Sequence, residues 1–449
     1  MATQNGSATK SAGATKSAGA SKKTGERVAI VAGLRTPFTK ANGKLRALRS
    51  VDLGAEVVRE LVQRSEIDPK HITLCVYGQV VPSVDWLNIA REVVLRSGLP
   101  RSIEAYSVSR ACATSIQAMT NAADAIIGRR HDVAVVGGAD SMSDVPLKVS
   151  PKLRDALVAM QRARTLGERL KAFRKLSVRD LLPREPGFAR EPTTGETMGE
   201  AAEKMAKLNG ISREEQDRIA QASHANASRA WRDGTFRPEV MTVLPAPYDV
   251  PVDKDDLVRD DSTLEALAKL KPVFDRRHGT ITAGNASPLT DGASALLLMR
   301  ESKARALGIE PLGYLRAWAY AGVDPGWQLL MGPVLAAPLA LERAGLGLQD
   351  MDLVDMHEAF AAQVACNLQA LASKSFCAEH MGRSEPVGEV DRARLNVNGG
   401  SIALGHPFAA TGGRMVLSTL RELRRRGGRH ALLTLCAAGG LGAAVVVEA

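Results

Sequence analysis

The chain has 449 residues, 45% of them hydrophobic and 24% charged, which is enough for a large core divided among two or three domains. No apolar run reaches the roughly 18 residues that cross a bilayer. The formal charge of +10 suits anionic partners, but aromatics are only 4% and no nucleic-acid motif is present, so nucleic acid is not expected.

Residues 1–25 contain Ala-Thr-Lys-Ser-Ala-Gly twice in tandem, at 8–13 and 14–19, with almost nothing apolar to bury, and they predict a disordered tail. A mitochondrial transit peptide is also Ser-rich and acid-poor. Here, however, the basic residues are lysines up to Arg27 and no large hydrophobic residue marks an amphipathic face, so a cytoplasmic protein is expected, with the mitochondrial matrix as the alternative. The five cysteines, Cys75, Cys112, Cys366, Cys377 and Cys436, form no CxxC pair and no paired framework. They predict reduced thiols and no zinc.

Residues 28–32 read as an apolar strand, 52–64 as a helix with apolar Leu53, Val57, Leu61 and Val62, and 67–78 as a loop leading into a strand. Much later, 333–344 reads as a helix and 346–358 repeats the loop-to-strand pattern. A second pair agrees more closely. Helix 115–127 leads through Gly128 into strand 133–138, and helix 412–426 leads through Gly427 and Gly428 into strand 431–436. Continuous apolar strands alternating with helices predict parallel sheets buried on both faces, in two pseudo-symmetric βαβαβ halves at 26–145 and 281–449. Between them, 146–280 breaks the pattern. Its first part, 148–190, is rich in Lys and Arg with interleaved leucines, and helices are expected at 198–208 and 212–231.

Three short Gly/Ala/Ser-rich runs carry reactive side chains. Cys112 lies in Ser109-Arg110-Ala111-Cys112-Ala113-Thr114-Ser115 at the start of a helix, where the dipole and free N–H groups favour a thiolate and can bind an oxyanion. His406 lies between Gly405 and Pro407, in a turn suited to holding an imidazole rigidly. Cys436 ends a strand and enters Ala437-Ala438-Gly439-Gly440. One thiol to hold an acyl group, an imidazole and a second thiol to move protons suit carbon–carbon thiolysis. In the alignment of halves, Cys112 and the His406 region occupy equivalent helix entrances, so they are expected to converge between the halves.

Asn396-Val397-Asn398-Gly399-Gly400-Ser401-Ile402-Ala403-Leu404-Gly405-His406-Pro407 resembles the C-terminal signature of the thiolases, and the resemblance extends from about residue 27 to 449. It implies the α/β thiolase fold in five αβαβα layers, with 146–280 as the inserted loop domain that covers coenzyme A and the acyl chain. It also implies Cys112 as nucleophile, His406 as its base and Cys436 as the proton shuttle. His357, opening His357-Glu358-Ala359-Phe360, stands where many thiolases have Asn. With Cys-Ala-Ala-Gly-Gly at 436–440, it is similar to the β subunits of the β-oxidation trifunctional complex. Ser287 matches the Ser that contacts coenzyme A, whereas the runs at Arg35 and Asn88 read as scaffold.

The expected activity is 3-ketoacyl-CoA thiolysis with coenzyme A as co-substrate and no metal or other cofactor. A homodimer or larger oligomer, a hydratase/dehydrogenase α subunit, and peripheral membrane contact through 148–184 are the expected partners. The competing readings are a biosynthetic acetoacetyl-CoA thiolase and a non-catalytic lipid-binding or scaffold protein; both thiols and both histidines argue against the latter. Ala409 and Ala438 depart from the glycines common in the family, and a Cβ there disfavours positive φ. Ala409 in particular is expected to shift its loop.

Overall fold

The computed structural model describes residues 26–184 and 190–449. The predicted tail lies outside the described residues. Among the described residues ten strands form one sheet: β1 (Val28–Arg35), β2 (Thr39–Lys40), β3 (Leu74–Gly78), β4 (Glu104–Val108), β5 (Val133–Asp140), β6 (Thr290–Arg300), β7 (Gly313–Gly322), β8 (Leu353–Met356), β9 (His430–Ala437) and β10 (Leu441–Glu448). Their order is β4-β3-β5-β6-β1-β7-β10-β9-β8, with the short β2 on β6.

The two halves are related as the sequence repeat predicts. β3–β5 and β8–β9 are parallel, β5–β6 and β9–β10 antiparallel, and β1–β6 and β7–β10 antiparallel. The sheet is therefore mixed, which corrects the expectation of all-parallel sheets. β3, β5, β6, β8, β9 and β10 are almost wholly buried. They read as continuous apolar runs because helices cover both faces, whatever the strand direction. A second correction concerns β6. Its sequence position assigns it to the C-terminal half, yet it lies between β5 and β1 in the first half-sheet, as β10 lies between β9 and β7 in the second.

Helices Thr114–Ile127 and Thr411–Arg426 lie between the two half-sheets, where Ile116, Met119, Met415 and Leu417 pack with apolar residues of both. Helices Ser50–Ser65 and Ile89–Arg96 cover the outer face of one half, and Gly332–Ala344 and Ala361–Ala372 that of the other. This gives the five layers. The central helices meet at their N-termini, where the Gly413 N–H donates to Ser115 Oγ at 2.8 Å and a Cβ on Gly412 would press on Ile116.

In the insert, helices Met198–Leu208 and Arg213–Arg232 pack onto the second half, and Pro151–Arg162 and Leu166–Phe173 stand out from the body. Arg35, read as scaffold, is fully buried in a bidentate pair with Asp255 at 2.7 and 2.9 Å and a further bond to Glu239 at 3.0 Å. Asn88 caps the helix Ile89–Arg96. No helix among the described residues is long and apolar enough to cross a membrane.

Candidate active site

The sulfur of Cys112 is set by a strained turn. Ala111 takes φ +44°, a left-handed conformation that costs a non-glycine residue on the order of 1 kcal/mol or more. Thr114 holds the turn in place, its hydroxyl accepting from the Arg110 N–H at 2.9 Å and donating to the Ala111 carbonyl at 2.7 Å. The helix Thr114–Ile127 begins two residues after the thiol.

From the other half, Gly405 takes φ +97°, and a Cβ there would press on Thr290 and Leu257, so only glycine delivers His406 at this angle. The His406 N–H donates to Thr290 Oγ1, its Nδ1 bonds Thr411 Oγ1 at 2.6 Å, and its Nε2 stands 3.1 Å from Cys112 Sγ. The predicted convergence of the two helix entrances is thus observed.

His357 follows β8. Its N–H donates to the Thr434 carbonyl, its Nδ1 lies 3.0 Å from Ser401 Oγ, and its ring centroid is 4.2 Å from that of His406. Among the described residues, its buried Nε2 has no hydrogen-bond partner. Cys436, at the end of β9, is 1% exposed and close enough to Cys112 that charge on one thiol opposes charge on the other. The loop beyond Cys436 turns on Gly439 and Gly440, both at positive φ, and the Ala438 N–H faces the Cys112 sulfur.

Electrostatics set the resting protonation. Burial raises the Cys112 thiol to about 12, against the opposing pull of the Ala438 N–H. Burial and then the Arg414 guanidinium lower His406 to about 3, and burial, His406 and Arg414 lower His357 well below the usual imidazole range. Burial therefore favours a neutral thiol beside a neutral imidazole, and opposes the thiolate that the helix N-terminus favours.

Ser287 is partly exposed; its N–H donates to the Ala359 carbonyl and its hydroxyl has no hydrogen bond among the described residues, so it caps no turn. The segment around it runs between Phe360 and His406 through the bridges Ala286–Phe360 and Leu289–His406, which puts it at the rim of the site.

Several supporting residues were not singled out from the sequence. Thr411 and Ser401 lie within or just after the His406 run and were legible there. Asp140, fully buried, accepts from the N–H groups of Val80, Val81 and Ala409, and so ties the loop after β3 to the turn after His406. Burial raises its carboxyl to about 7 against these three donors. Glu358 accepts from Ser223, Asn396 and the Ile402 N–H, joining the insert to the run before His406. Glu191 accepts from the Gly439 N–H at 3.0 Å across 248 residues, a separation at which no local pattern could reveal it.

Ala409 and Ala438 both lie outside the positive-φ positions, so a Cβ strains neither backbone. Ala409 is fully buried against Gly138, where any Cβ would collide with the Ala409 carbonyl. Glycine at 138 leaves the room that the Ala409 backbone and Cβ occupy.

Two family descriptions match the chain: the thiolase N-terminal domain over residues 28–302 and the thiolase C-terminal domain over 309–449. The chain belongs to the thiolase family. It is 53% identical over 425 residues to the 3-ketoacyl-CoA thiolase of Photobacterium profundum, covering 95% of this chain and 97% of that protein. It is 54% identical over 424 residues to the 3-ketoacyl-CoA thiolase of Yersinia enterocolitica, covering 94% and 97%. Among solved structures, human mitochondrial 3-ketoacyl-CoA thiolase in complex with CoA is similar with a TM-score of 0.80 at 31% identity, covering 94% of this chain and 98% of that one.

Proposed function

We propose that this thiolase is a degradative 3-ketoacyl-CoA thiolase, an acyltransferase that uses coenzyme A to release acetyl-CoA and a shortened acyl-CoA in fatty-acid β-oxidation. The observation that carries the reading is the 3.1 Å contact between Cys112 Sγ and His406 Nε2, with Cys436 buried beside it. The names of relatives more than half identical support the same activity.

His406 Nε2 takes the Cys112 proton as the sulfur adds to the 3-keto carbon of the substrate. The bond between C2 and C3 then breaks, leaving the acyl group on Cys112 and an acetyl-CoA enolate. The protonated His406 and the inward-facing Nε2 of His357 suit its thioester oxygen. Cys436 supplies the proton that completes acetyl-CoA. The Cys436 thiolate next takes the proton of incoming coenzyme A, whose sulfur attacks the acyl-cysteine and releases the shortened acyl-CoA, and the freed Cys112 sulfur takes its proton back from His406. Ser287, at the rim of the site, is assigned the contact with coenzyme A, a role its partly exposed hydroxyl supports.

Steady-state rates on 3-ketoacyl-CoA esters of four to sixteen carbons, with coenzyme A as co-substrate, test this. Turnover of the longer esters is expected; activity confined to the four-carbon ester would assign the acetoacetyl-CoA enzyme instead.

The basic insert supports a peripheral role at an anionic membrane surface. Helices Pro151–Arg162 and Leu166–Phe173 carry Arg162, Arg169 and Lys171, with Arg164 in the turn between them, together with exposed Leu157, Leu166 and Leu170, the combination an interfacial helix needs. The bacterial relatives support a cytoplasmic location.

A further inference from the structure

We propose that Cys112, His406 and His357 form a binding site for one soft divalent cation, zinc(II) fitting best, and that occupancy reversibly blocks the enzyme. The blocking effect rests on Cys112 being the thiolase nucleophile; the cation site rests only on the donor atoms.

One donor atom from each of the three residues lies within 4.8 Å of the others. Both imidazoles are held at Nδ1 by a hydroxyl oxygen, Thr411 for His406 and Ser401 for His357. Each therefore turns Nε2 away from its support. His406 Nε2 points at the Cys112 sulfur, and His357 Nε2, in a fully buried side chain, has no hydrogen-bond partner among the described residues. An imidazole anchored at Nδ1 by oxygen and offering Nε2 inward is how proteins orient zinc ligands.

The dimensions are close to what zinc needs. Zn–S of about 2.3 Å and Zn–N of about 2.0–2.1 Å set tetrahedral donors about 3.3–3.6 Å apart. The His406–Cys112 pair is already at 3.1 Å, and the widest pair needs to close by about 1 Å, within reach of side-chain rotation. A thiolate with two neutral imidazoles selects zinc over magnesium or calcium, which prefer oxygen. On binding, the Cys112 S–H bond breaks, its proton goes to solvent and an S–Zn bond forms. A water or the coenzyme A sulfur takes the fourth position. The Ser401 hydroxyl can donate to or accept from His357 Nδ1, so the same ring can present an N–H to an enolate oxygen or a lone pair to a cation.

Cobalt(II) reports the site directly, because thiolate ligation gives a near-ultraviolet charge-transfer band and tetrahedral geometry strong visible bands. Titration of the full chain is expected to show one cobalt per chain with both features, displaced by zinc. Zinc should also slow iodoacetamide alkylation of Cys112 at least tenfold and abolish thiolysis, both restored by a chelator. Cys112→Ser should remove the charge-transfer band, and Cys436→Ala should keep it. His357→Asn and His357→Gln should each weaken cobalt binding by more than the roughly 10–100-fold typical of losing an outer-shell partner.

Absence of the band, its loss in Cys436→Ala, or unchanged affinity in both His357 variants overturns the site. A cobalt band in a protein that turns over no 3-ketoacyl-CoA keeps the site and removes the thiolase reading; turnover without the band does the reverse.

Discussion

Cys112 and His406 are in contact and burial favours the neutral form of each, so the thiolate is best formed as its proton moves to the imidazole. Cys112→Ser removes the group able to ionise at that moment. It is expected to lower thiolysis on the order of 10⁴-fold or more while the melting temperature holds. Intact mass after a denaturing quench checks it: the acyl adduct of the wild type should be absent. Cys436→Ala leaves the nucleophile in place but removes the proton that completes acetyl-CoA. Turnover should fall by about 10² to 10⁴, with Cys112 still alkylated by iodoacetamide at the wild-type rate. Wild-type turnover in this variant rules out the shuttle.

At the scale of elements, the loop after β9 depends on a residue from the insert. Glu191 holds the Gly439 N–H, one residue beyond the N–H that faces the Cys112 sulfur. Glu191→Ala is expected to reduce kcat by about tenfold, less than the 10²–10³ that deleting an oxyanion donor costs. Glu191→Gln should recover most of the loss, because its amide oxygen still accepts. A KM effect with kcat intact would instead make Glu191 a contributor to substrate cover.

Much of this level was legible in the sequence. The repeat of helix, glycine and strand at 115–138 and 412–436 carries the pseudo-twofold, and the short runs around Cys112, His406 and Cys436 carry the site. Strand direction was not legible, since burial on both faces erases the alternation that marks an antiparallel sheet. The membership of β6 was hidden because its partners lie far away in sequence. The upward pull of burial on the Cys112 thiol was hidden as well, because it comes from the surrounding fold rather than from neighbours in the chain.

For the whole molecule, the net charge of +10 is concentrated usefully in the insert, where ten lysines and arginines between Lys148 and Arg179 face Asp155, Glu168 and Asp180. Reversing Arg162, Arg164 and Lys171 to Glu is expected to abolish co-sedimentation with anionic vesicles at physiological salt, with activity on a short ester nearly unchanged. If vesicle binding survives and the apparent KM for coenzyme A rises, the patch serves the coenzyme phosphates. Loss of binding to a hydratase/dehydrogenase α subunit alone would make it a protein interface.

β1 pairs with β6 along most of its length and with β7 through Val28, Ala29 and Ile30, so one strand near the start of the described chain is the keystone between the halves. Without it, β6 and β7 would face each other as two open edges, an invitation to strand exchange between molecules. A chain shortened to begin after residue 36 is therefore expected to lose activity and self-associate. A synthetic peptide spanning 26–36 should restore a monodisperse, active enzyme in trans, read by light scattering and thiolysis together. The cleft that breaks carbon–carbon bonds would then owe its closure to an eight-residue splint that contributes no atom to the chemistry.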